Sequence, residues 1–396
     1  MRLGLTLGLN HDIPECKCPD PVDRQHRTRL WWGIYVFDRM YGSKVGWPIQ
    51  IADEDIHVEM PSNVPSDIHN EQFSDTEFLT ASIQLARITG QVIDRVYSRK
   101  KHPESFLQRE QKLLISLKQW ACALPPHIRL NRENPIPKNV ISLHLQFNQV
   151  SHDRVQHRII QFNEVQCIML TSRPVLLYAL IQSTCPEQPE EDAAHTNIRQ
   201  TLKTLSDACI HAARHTHSLI LEEWTNGSLP IFGYFYAHYL FSSALIMVIS
   251  SQVYPENGGD FALFEAAVEI LRAMSNHGNL AATEFYDNLE CVRQCLKKEG
   301  GSESRPSLQF GQSFATDQSG AHPSIKPPLS GRRPSDLGLM GSVPEAIAPG
   351  TVINDMSFLG ESMEEFLAQP DVDFDLLDPS MTDAMSSWPN LSLWTA

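Results

Sequence analysis

Among the residues of this sequence that could do chemistry, we consider three histidines first. His211 and His215 lie four residues apart, so in a helix they share one face and could chelate a metal ion, with His217 close by. No third ligand accompanies them at a spacing typical of a metal site. Because histidines are common on polar helix surfaces, we interpret all three as structural and predict no metal site there.

The next candidates are three adjacent carboxylates, Asp53, Glu54 and Asp55. Successive side chains point in different directions, so this run does not converge on one catalytic point. Acids at the start of a helix stabilise the positive end of the helix dipole. We therefore interpret these carboxylates as structural as well.

The eight cysteines include no C-x-x-C pair and no Cys/His spacing of a zinc site. Cys291 and Cys295 are one helical turn apart, and we predict two core thiols there. Cys16 and Cys18 lie in a proline-rich loop, where two ligands are too few to hold zinc. No secretory signal peptide precedes them, so we expect reduced thiols inside the cell.

Motifs of catalysis and nucleotide binding are missing too. The sequence contains no G-x-G-x-x-G, no P-loop, no H-E-x-x-H and no G-x-S-x-G. We therefore predict that the protein is not an enzyme and that this chain holds no cofactor.

Negative charge is concentrated at one end of the chain. Residues 334–396 contain eleven acids and no Lys, Arg or His, which leaves only -4 of the net charge of -15 for residues 1–333. A nearly neutral body is therefore followed by a strongly acidic tail. This balance argues against direct nucleic-acid binding, because proteins that neutralise phosphates carry a basic surface.

Apolar spacing predicts the elements that position these residues. Leu30, Ile34, Phe37 and Tyr41 form one face of an amphipathic helix, which we predict to end over residues 42–48. Later segments repeat apolar residues at spacings of three and four. None of them alternates apolar and polar residues over the length of a β-strand. The sequence predicts an all-α body over residues 1–299, in which the later helices centre near residues 90, 115, 210, 240, 270 and 290.

The most apolar run, residues 229–250, approaches transmembrane length. It contains Pro230, Gly233 and His238 and lacks a Lys/Arg cluster on either flank. We predict a buried core helix and no contact with a membrane, and a membrane span is the alternative.

Composition changes beyond the helical body. Residues 300–350 are rich in Gly, Ser and Pro, so they cannot repay the entropy of ordering, and we predict a disordered linker. Residues 351–396 interleave acids with large apolar residues, which is typical of acidic activation segments that bind a partner groove. The residues that we expect to bind there are Phe358, Leu359, Phe366, Leu367, Phe374, Leu376 and Leu377.

The first 61 residues carry an ordered set of motifs, most of them in RTRLWWGIYVFDRMYGSKVGWPIQIADEDI at residues 27–56. A Leu-Gly-Leu turn, an Arg-x-Arg pair, two tryptophans, an Asp-Arg pair, a Gly-x-Pro turn, an Asp-x-Asp-Ile run and a proline follow one another. This order resembles the regulatory middle region of fungal zinc-binuclear-cluster transcription factors. The matching residues are Leu7, Gly8, Leu9, Arg27, Arg29, Trp31, Trp32, Asp38, Arg39, Gly46, Pro48, Asp53, Asp55, Ile56 and Pro61.

Two later segments are similar to the same family. CIMLTSRPVLLYAL, with Arg173 and Pro174, resembles a Leu-x-x-Arg-Pro helix end, and FGYFYAHYLFSSALIMVISS resembles an apolar central helix. The resemblance covers about residues 1–298 and implies a helical regulatory domain. It also implies that Trp31 and Trp32 fill the core and that arginine–carboxylate pairs fix helix ends.

The family also carries an N-terminal zinc cluster of six cysteines and a basic linker, and these bind DNA. This sequence begins inside the middle region without either part, so the resemblance places zinc in a domain outside this chain. We therefore expect no direct DNA binding by these residues.

Two classes of function follow from the sequence. The first is a nuclear transcriptional regulator, in which residues 1–299 regulate and residues 351–396 recruit the machinery or co-activators of RNA polymerase II transcription. The alternative is a cytoplasmic helical enzyme or ligand-binding protein whose acidic tail confers solubility. The target genes, a small effector and homodimer formation stay open on sequence alone.

Residues 150–166, VSHDRVQHRIIQFNEVQ, insert a polar block into an otherwise apolar helix. Val150 and Ser151 can be encoded by GTAAGT and Gln166 by CAG, which match the borders of fungal introns, and the segment has a suitable length. One hypothesis is a retained intron, and the other is a genuine insertion that lengthens the helix or forms a surface loop. Transcript sequencing across this junction separates the two.

Overall fold

A computed structural model describes residues 1–64, 73, 76–98, 100, 102–125, 152–184, 193–299 and 360–369, and within these ranges only the backbone of 152–164, 184, 193–197, 298–299 and 360–361. These residues are mainly helical and include no β-strand, as the sequence predicts. The predicted linker at residues 300–350 lies outside the described residues. The helices are α1 (Arg2–Thr6), α2 (Pro21–Val45), α3 (Thr76–Val96), α4 (Phe106–Ala123), α5 (His152–Thr184), α6 (Ala193–Thr225), α7 (Tyr234–Val253), α8 (Gly259–Asn276), α9 (Leu280–Glu299) and α10 (Gly360–Ala368).

Neighbouring helices in the sequence pack against each other through most of the fold. α2 packs on α3, α3 contacts both α4 and α5, and α5 to α9 follow one another, with α7 also touching α5 and α9. The main core runs through α3 to α9, and a smaller core surrounds the two tryptophans of α2. α10, from the acidic tail, lies on α4 and α6.

The ends of α2 follow from its sequence. The Asp20 carboxylate accepts a hydrogen bond from the Val22 N–H at 2.8 Å, and Pro21 starts the helix without needing a hydrogen-bond partner. The helix continues past Gly42 and ends at Gly46, whose φ of 68° suits a residue without a Cβ. The sequence predicted that this helix ends within residues 42–48, and its last helical residue, Val45, confirms this prediction.

The buried face of α2 is not the predicted one. Leu30 and Phe37 are 57% and 56% exposed, whereas Trp31, Trp32 and Tyr35 are fully buried. The predicted helix is present, but its buried face differs from the predicted one. The inward face also carries polar residues, so it shows no continuous apolar stripe in the sequence. Those polar residues are Arg39, Ser43 and Lys44.

The Arg173-Pro174 pair lies inside α5 and not at a helix end, which corrects the prediction. A proline has no N–H, so Pro174 cannot donate to the Leu170 carbonyl four residues earlier. The Tyr97 hydroxyl donates to that carbonyl instead, at 2.6 Å, and the Arg173 guanidinium donates to the Tyr97 oxygen at 3.0 Å. α5 therefore continues through its proline because a side chain from the end of α3 replaces the missing donor.

The apolar run forms α7, which is buried over most of its length. In the part of the chain that the structure describes, two helical segments are long and apolar enough to cross a membrane, Val165–Ser183 and Tyr234–Val253. Burial inside the fold covers 67% and 72% of them, as in the core helices of globular proteins. The packing agrees with the predicted core helix.

Most of the segment 150–166 prolongs α5, which starts at His152, and both hypotheses for this segment allow that. Val165 is only 2% exposed, and the side chains before it lie outside the described residues.

Candidate functional site

The family motifs meet at a buried arginine, Arg39, which is 2% exposed. Its guanidinium donates to the Ile51 carbonyl at 2.6 Å, to the Asp53 carboxylate at 3.2 Å and to the Asp38 carboxylate at 3.0 Å. The Tyr35 hydroxyl donates to the same Asp53 oxygen at 2.8 Å, and the Arg39 guanidinium lies 4.6 Å from the centre of the Tyr35 ring. This Arg39 cluster, namely Arg39, Tyr35, Asp38, Asp53 and Ile51, joins α2 to the segment that follows it.

Burial shapes the ionisation of the Arg39 cluster. It raises the pKa of the Asp38 carboxyl, and the positive charge of Arg39 opposes that shift. It raises the pKa of the Tyr35 phenol as well, so the hydroxyl stays protonated and keeps its hydrogen bond to Asp53. A charge-assisted network of this kind is suited to fixing two segments of the chain to each other.

Sequence reasoning missed two members of this arrangement, Tyr35 and Gly90. A Cβ built on Gly90 of α3 would lie 3.0 Å from the Nε atom of Arg39 and 3.3 Å from its Cδ atom. Gly90 therefore lets α3 approach the arginine closely. The spacing of four between Tyr35 and Arg39 was the one signal in the sequence, since residues four apart share a helix face.

Both tryptophans of the motif are completely buried, in agreement with the packing role that the sequence predicts. The indole N–H of Trp32 donates to the Glu59 carbonyl at 2.8 Å, and its ring meets the Tyr35 ring edge-on at 5.4 Å. The Arg87 guanidinium lies 5.3 Å from the centre of the Trp32 ring. These indoles build the small core, and neither is exposed to a ligand.

Arg27 and Arg29 bind backbone and hydroxyl oxygens. Arg27 donates to the carbonyls of Leu7 and Gly8, in a turn where Gly8 has a φ of 61°. Arg29 donates to the Ser62 carbonyl at 3.2 Å and to the Thr76 hydroxyl at 2.6 Å. The predicted arginine–carboxylate pairing is therefore found at Arg39, whereas these two arginines hold the N-terminal segment and the start of α3.

The remaining motif residues are turn residues. Gly46 caps α2, and the Pro48 carbonyl accepts a hydrogen bond from the Gln50 amide at 3.0 Å. Asp55 belongs to a single 3₁₀ turn, Asp53–Asp55, where its carbonyl accepts from the Asn10 amide at 3.3 Å. Asp53 and Glu54 belong to the same turn.

A second buried cation, Lys44, lies beside a small cavity between α2, α3 and α5. Its ammonium donates to the Met40 carbonyl at 3.2 Å and lies 4.9 Å from the centre of the Tyr239 ring. Burial lowers the pKa of Lys44 to about 8. The cavity holds about 20 Å³, enough for one water molecule and too small for a cofactor or an organic effector.

The histidines and cysteines do not form a metal site among the described residues. His211 is exposed, whereas His217 is buried, and burial lowers the pKa of His217 to about 4. Cys291 and Cys295 are both exposed, so the prediction of two core thiols is wrong. The inward face of α9 carries Ala282, Phe285 and Leu289, and the two thiols lie on another side of the helix.

The structure also buries a carboxyl group that the sequence did not single out, Glu110 of α4. The residue is 0% exposed, and neither of its side-chain oxygens has a hydrogen-bond partner among the described residues. Burial raises the pKa of Glu110 well above its ordinary value, and the charge of Arg109 opposes this only in part. The folded protein therefore holds this carboxyl in its protonated form more strongly than the unfolded chain does.

We expect Glu110→Gln to change how stability depends on pH. Because the folded-state pKa is raised, the contribution of Glu110 is fully present below the unfolded pKa near 4.5 and is lost as pH rises through the folded value. Between the two pKa values, the parent should lose up to about 1.4 kcal/mol per pH unit relative to the variant. Urea unfolding from pH 4 to pH 8 measures this difference.

The matched control is Glu104→Gln, at a partly exposed glutamate just before α4 that pairs with Lys112 at 2.9 Å. The Lys112 hydrogen bond lowers the pKa of Glu104, so this control should not reproduce the loss of stability at rising pH. Parallel curves for the parent and Glu110→Gln over the whole range would contradict the buried, protonated carboxyl.

The acidic tail is partly described, over residues 360–369. Phe366 is 2% exposed and Leu367 is partly buried, and both contact the main core. Five of the predicted binding residues lie outside the described part of the chain: Phe358, Leu359, Phe374, Leu376 and Leu377. At least one helix of the predicted activation segment therefore packs on the body.

Residues 1–124 match the sequence profile of the fungal specific transcription factor domain. This match contains α1 to α4 and the whole Arg39 cluster, and it ends well before residue 298, the predicted limit of the resemblance. Relatives align further along the chain. No solved structure matches.

Three curated relatives are named as transcriptional regulators. An uncharacterized transcriptional regulatory protein of Schizosaccharomyces pombe is 26% identical over 272 residues, covering 67% of this chain and 31% of the relative. Transcription factor FBD3 of Gibberella moniliformis is 24% identical, covering 75% of this chain and 40% of the relative. Transcriptional activator protein acu-15 of Neurospora crassa is 26% identical, covering 35% of this chain and 16% of the relative.

The chain thus spans less than half the length of each of these relatives. The motif residues of the Arg39 cluster lie inside the matched domain, where they join α2 to the segment that follows it. Residues 1–124 are thus similar to the fungal specific transcription factor domain, and the chain as a whole is similar to fungal proteins named as transcriptional regulators.

Proposed function

We propose that this chain is the regulatory and activating part of a fungal transcriptional regulator, acting in the nucleus on RNA polymerase II transcription. The observation that carries the proposal is the match of residues 1–124 to the fungal specific transcription factor domain. Its relatives are named as transcriptional regulators, and this favours regulation over the alternative of a cytoplasmic enzyme or ligand-binding protein.

The division of labour within the chain supports the proposal. The tail supplies eleven acids interleaved with aromatic and leucine residues. We assign regulation to the helical body and recruitment of co-activators to residues 351–396.

We expect residues 334–396, fused to a heterologous DNA-binding domain, to activate a reporter gene, and a sevenfold alanine variant to abolish this output. Acids alone make no groove contact, whereas buried aromatic and leucine anchors carry most of the energy of helix-in-groove binding. The residues changed to alanine are Phe358, Leu359, Phe366, Leu367, Phe374, Leu376 and Leu377.

The control variant changes seven polar residues of the same segment to alanine and leaves every acid in place. It should keep the reporter output, because none of these residues supplies an apolar anchor. Output that survives loss of the seven anchors would contradict the proposal. The control residues are Asn354, Ser357, Ser362, Gln369, Ser380, Thr382 and Ser386.

We also expect this chain not to bind DNA by itself, so that any DNA contact of the regulator belongs to a zinc cluster outside these residues. The net charge of -15 repels phosphates, and the sequence contains no basic stripe. A gel-shift assay at low salt is the most demanding test, because non-specific phosphate contacts are strongest there. Saturable binding to duplex DNA would overturn this expectation.

A further inference from the structure

One face of the tail helix α10 is buried on the helical body. Met363 and Phe366 are 1% and 2% exposed, and Leu367 lies beside them on the same face. Ser362, Glu364 and Glu365 are exposed on the other side. The helix is therefore amphipathic, and its apolar anchors fill a groove between α4 and α6, which we call the α4–α6 groove.

The body also recognises the backbone of α10. Residue 370 is a proline, so it has no N–H to donate to the Phe366 carbonyl at the end of the helix. The buried Gln111 side chain of α4 donates to that carbonyl at 2.7 Å and to the Gln369 carbonyl at 3.0 Å. Gln111 thereby satisfies the last turn of a helix that lies more than two hundred residues away in the sequence.

Charge complements these contacts. The Lys118 ammonium, further along α4, forms an ion pair with the Glu364 carboxylate of α10. Both side chains are partly exposed, so removing the pair costs little, whereas a negative charge at position 118 would repel the Glu364 carboxylate. A lysine beside an apolar groove suits an acidic amphipathic helix, which is the character of the whole tail.

We propose that the α4–α6 groove is an internal binding site that withholds the tail helix from co-activators. The proposal rests on the proposed function, because it requires that Phe366 and Leu367 are anchors for activation. In the docked state these anchors are buried in the body. A co-activator must therefore offer the same chemistry as the groove, an apolar channel with a basic rim, and must compete for one helix face.

The covalent connection between the helical body and α10 favours docking of this helix over binding of an external partner. Sixty residues join Glu299 at the end of α9 to Gly360 at the start of α10. The entropy of closing a loop grows only slowly with its length, so a linker of this size permits docking at low entropic cost. Docking within one chain also benefits from a high effective concentration, which an external partner lacks.

The test uses the complete chain fused to a heterologous DNA-binding domain and compares Gln111→Ala with the parent in a reporter assay. Removing the two hydrogen bonds of Gln111 should shift the ratio of docked to released helix by about 5- to 30-fold, and the reporter output should rise. Gln84→Ala, at an exposed glutamine of α3, is the matched control and should leave the output unchanged.

Hydrogen exchange on the purified complete chain provides a second readout. The amides of residues 360–369 should exchange faster in Gln111→Ala, while those of α7 keep the parent rate. Lys118→Glu, at a partly exposed site, repeats the test without touching the core if Gln111→Ala folds poorly. Lys203→Glu on α6 is its control, because Lys203 is exposed.

The outcomes separate the two proposals. If residues 334–396 alone do not activate transcription, the proposed activation function fails. If they do activate, and the groove variants leave either the output or the exchange of residues 360–369 at the control value, the docking proposal is overturned. A rise in both readouts supports it.

Discussion

Replacing Trp31 and Trp32 together by alanine should abolish the cooperative unfolding of the helical body. Both indoles are 0% exposed, and Trp32 also donates a hydrogen bond to the Glu59 carbonyl at 2.8 Å. Each buried tryptophan that is cut to alanine typically costs about 3 to 5 kcal/mol. Two such losses reach the whole stability of an ordinary domain, about 5 to 15 kcal/mol. Thermal unfolding followed by circular dichroism measures the effect.

The control is Trp47→Ala, the same substitution at a tryptophan that is 58% exposed. It removes an edge-on contact with Tyr41 at 5.5 Å and opens no cavity in the core. We expect it to melt close to the parent, since surface substitutions change stability by about 0.5 kcal/mol or less. A double variant that melts like Trp47→Ala would show that the small core does not depend on its indoles.

Arg39→Ala is expected to destabilise the body by about 3 to 5 kcal/mol, because it removes the cation from the largely buried Asp38 carboxylate, removes a donor from the Ile51 carbonyl and empties a core position. The variant would leave the Ile51 carbonyl and the Asp53 carboxylate without their cation. It would also open a space beside Gly90, where an added Cβ would lie 3.0 Å from the Arg39 Nε atom. Urea unfolding measures the loss.

Two other arginine variants serve as comparisons for this result. Arg87→Ala removes an exposed cation from the face of Trp32 and should cost about 1 kcal/mol or less. Arg39→Lys keeps the positive charge but lacks the planar guanidinium group that reaches three oxygens. Its loss of stability should therefore lie between those of Arg39→Ala and Arg87→Ala. Equal stability of Arg39→Ala and Arg87→Ala would contradict a central role for the Arg39 cluster.

How much was predictable from sequence differs along the chain. The helical class and the apolar core helix α7 followed from local periodicity, because these features depend on neighbours in the sequence. The face that α2 buries did not. Its outer face carries the apolar residues Leu30 and Phe37, while its inner face accepts Arg39 and Lys44. An arginine becomes a core residue only when partners from other segments surround it.

The candidate site shows the same limit. The family motif implied arginine–carboxylate pairs in general, and the structure identifies Asp38 and Asp53 as the partners of Arg39. The contact between Gly90 and Arg39, the unpartnered carboxyl of Glu110 and the seat of α10 on Gln111 join residues far apart in the sequence. No spacing along the chain predicts such contacts, because the tertiary fold creates them.

The proline in α5 has a consequence for evolution. The Tyr97 hydroxyl supplies the hydrogen bond that Pro174 cannot give to Leu170, so the two positions depend on each other. If another residue replaced the proline, its N–H would satisfy the carbonyl and free the phenol to change. A phenylalanine at position 97 beside a retained proline would leave a buried carbonyl unpaired. Selection should therefore permit loss of the phenol mainly in lineages that have already lost the proline.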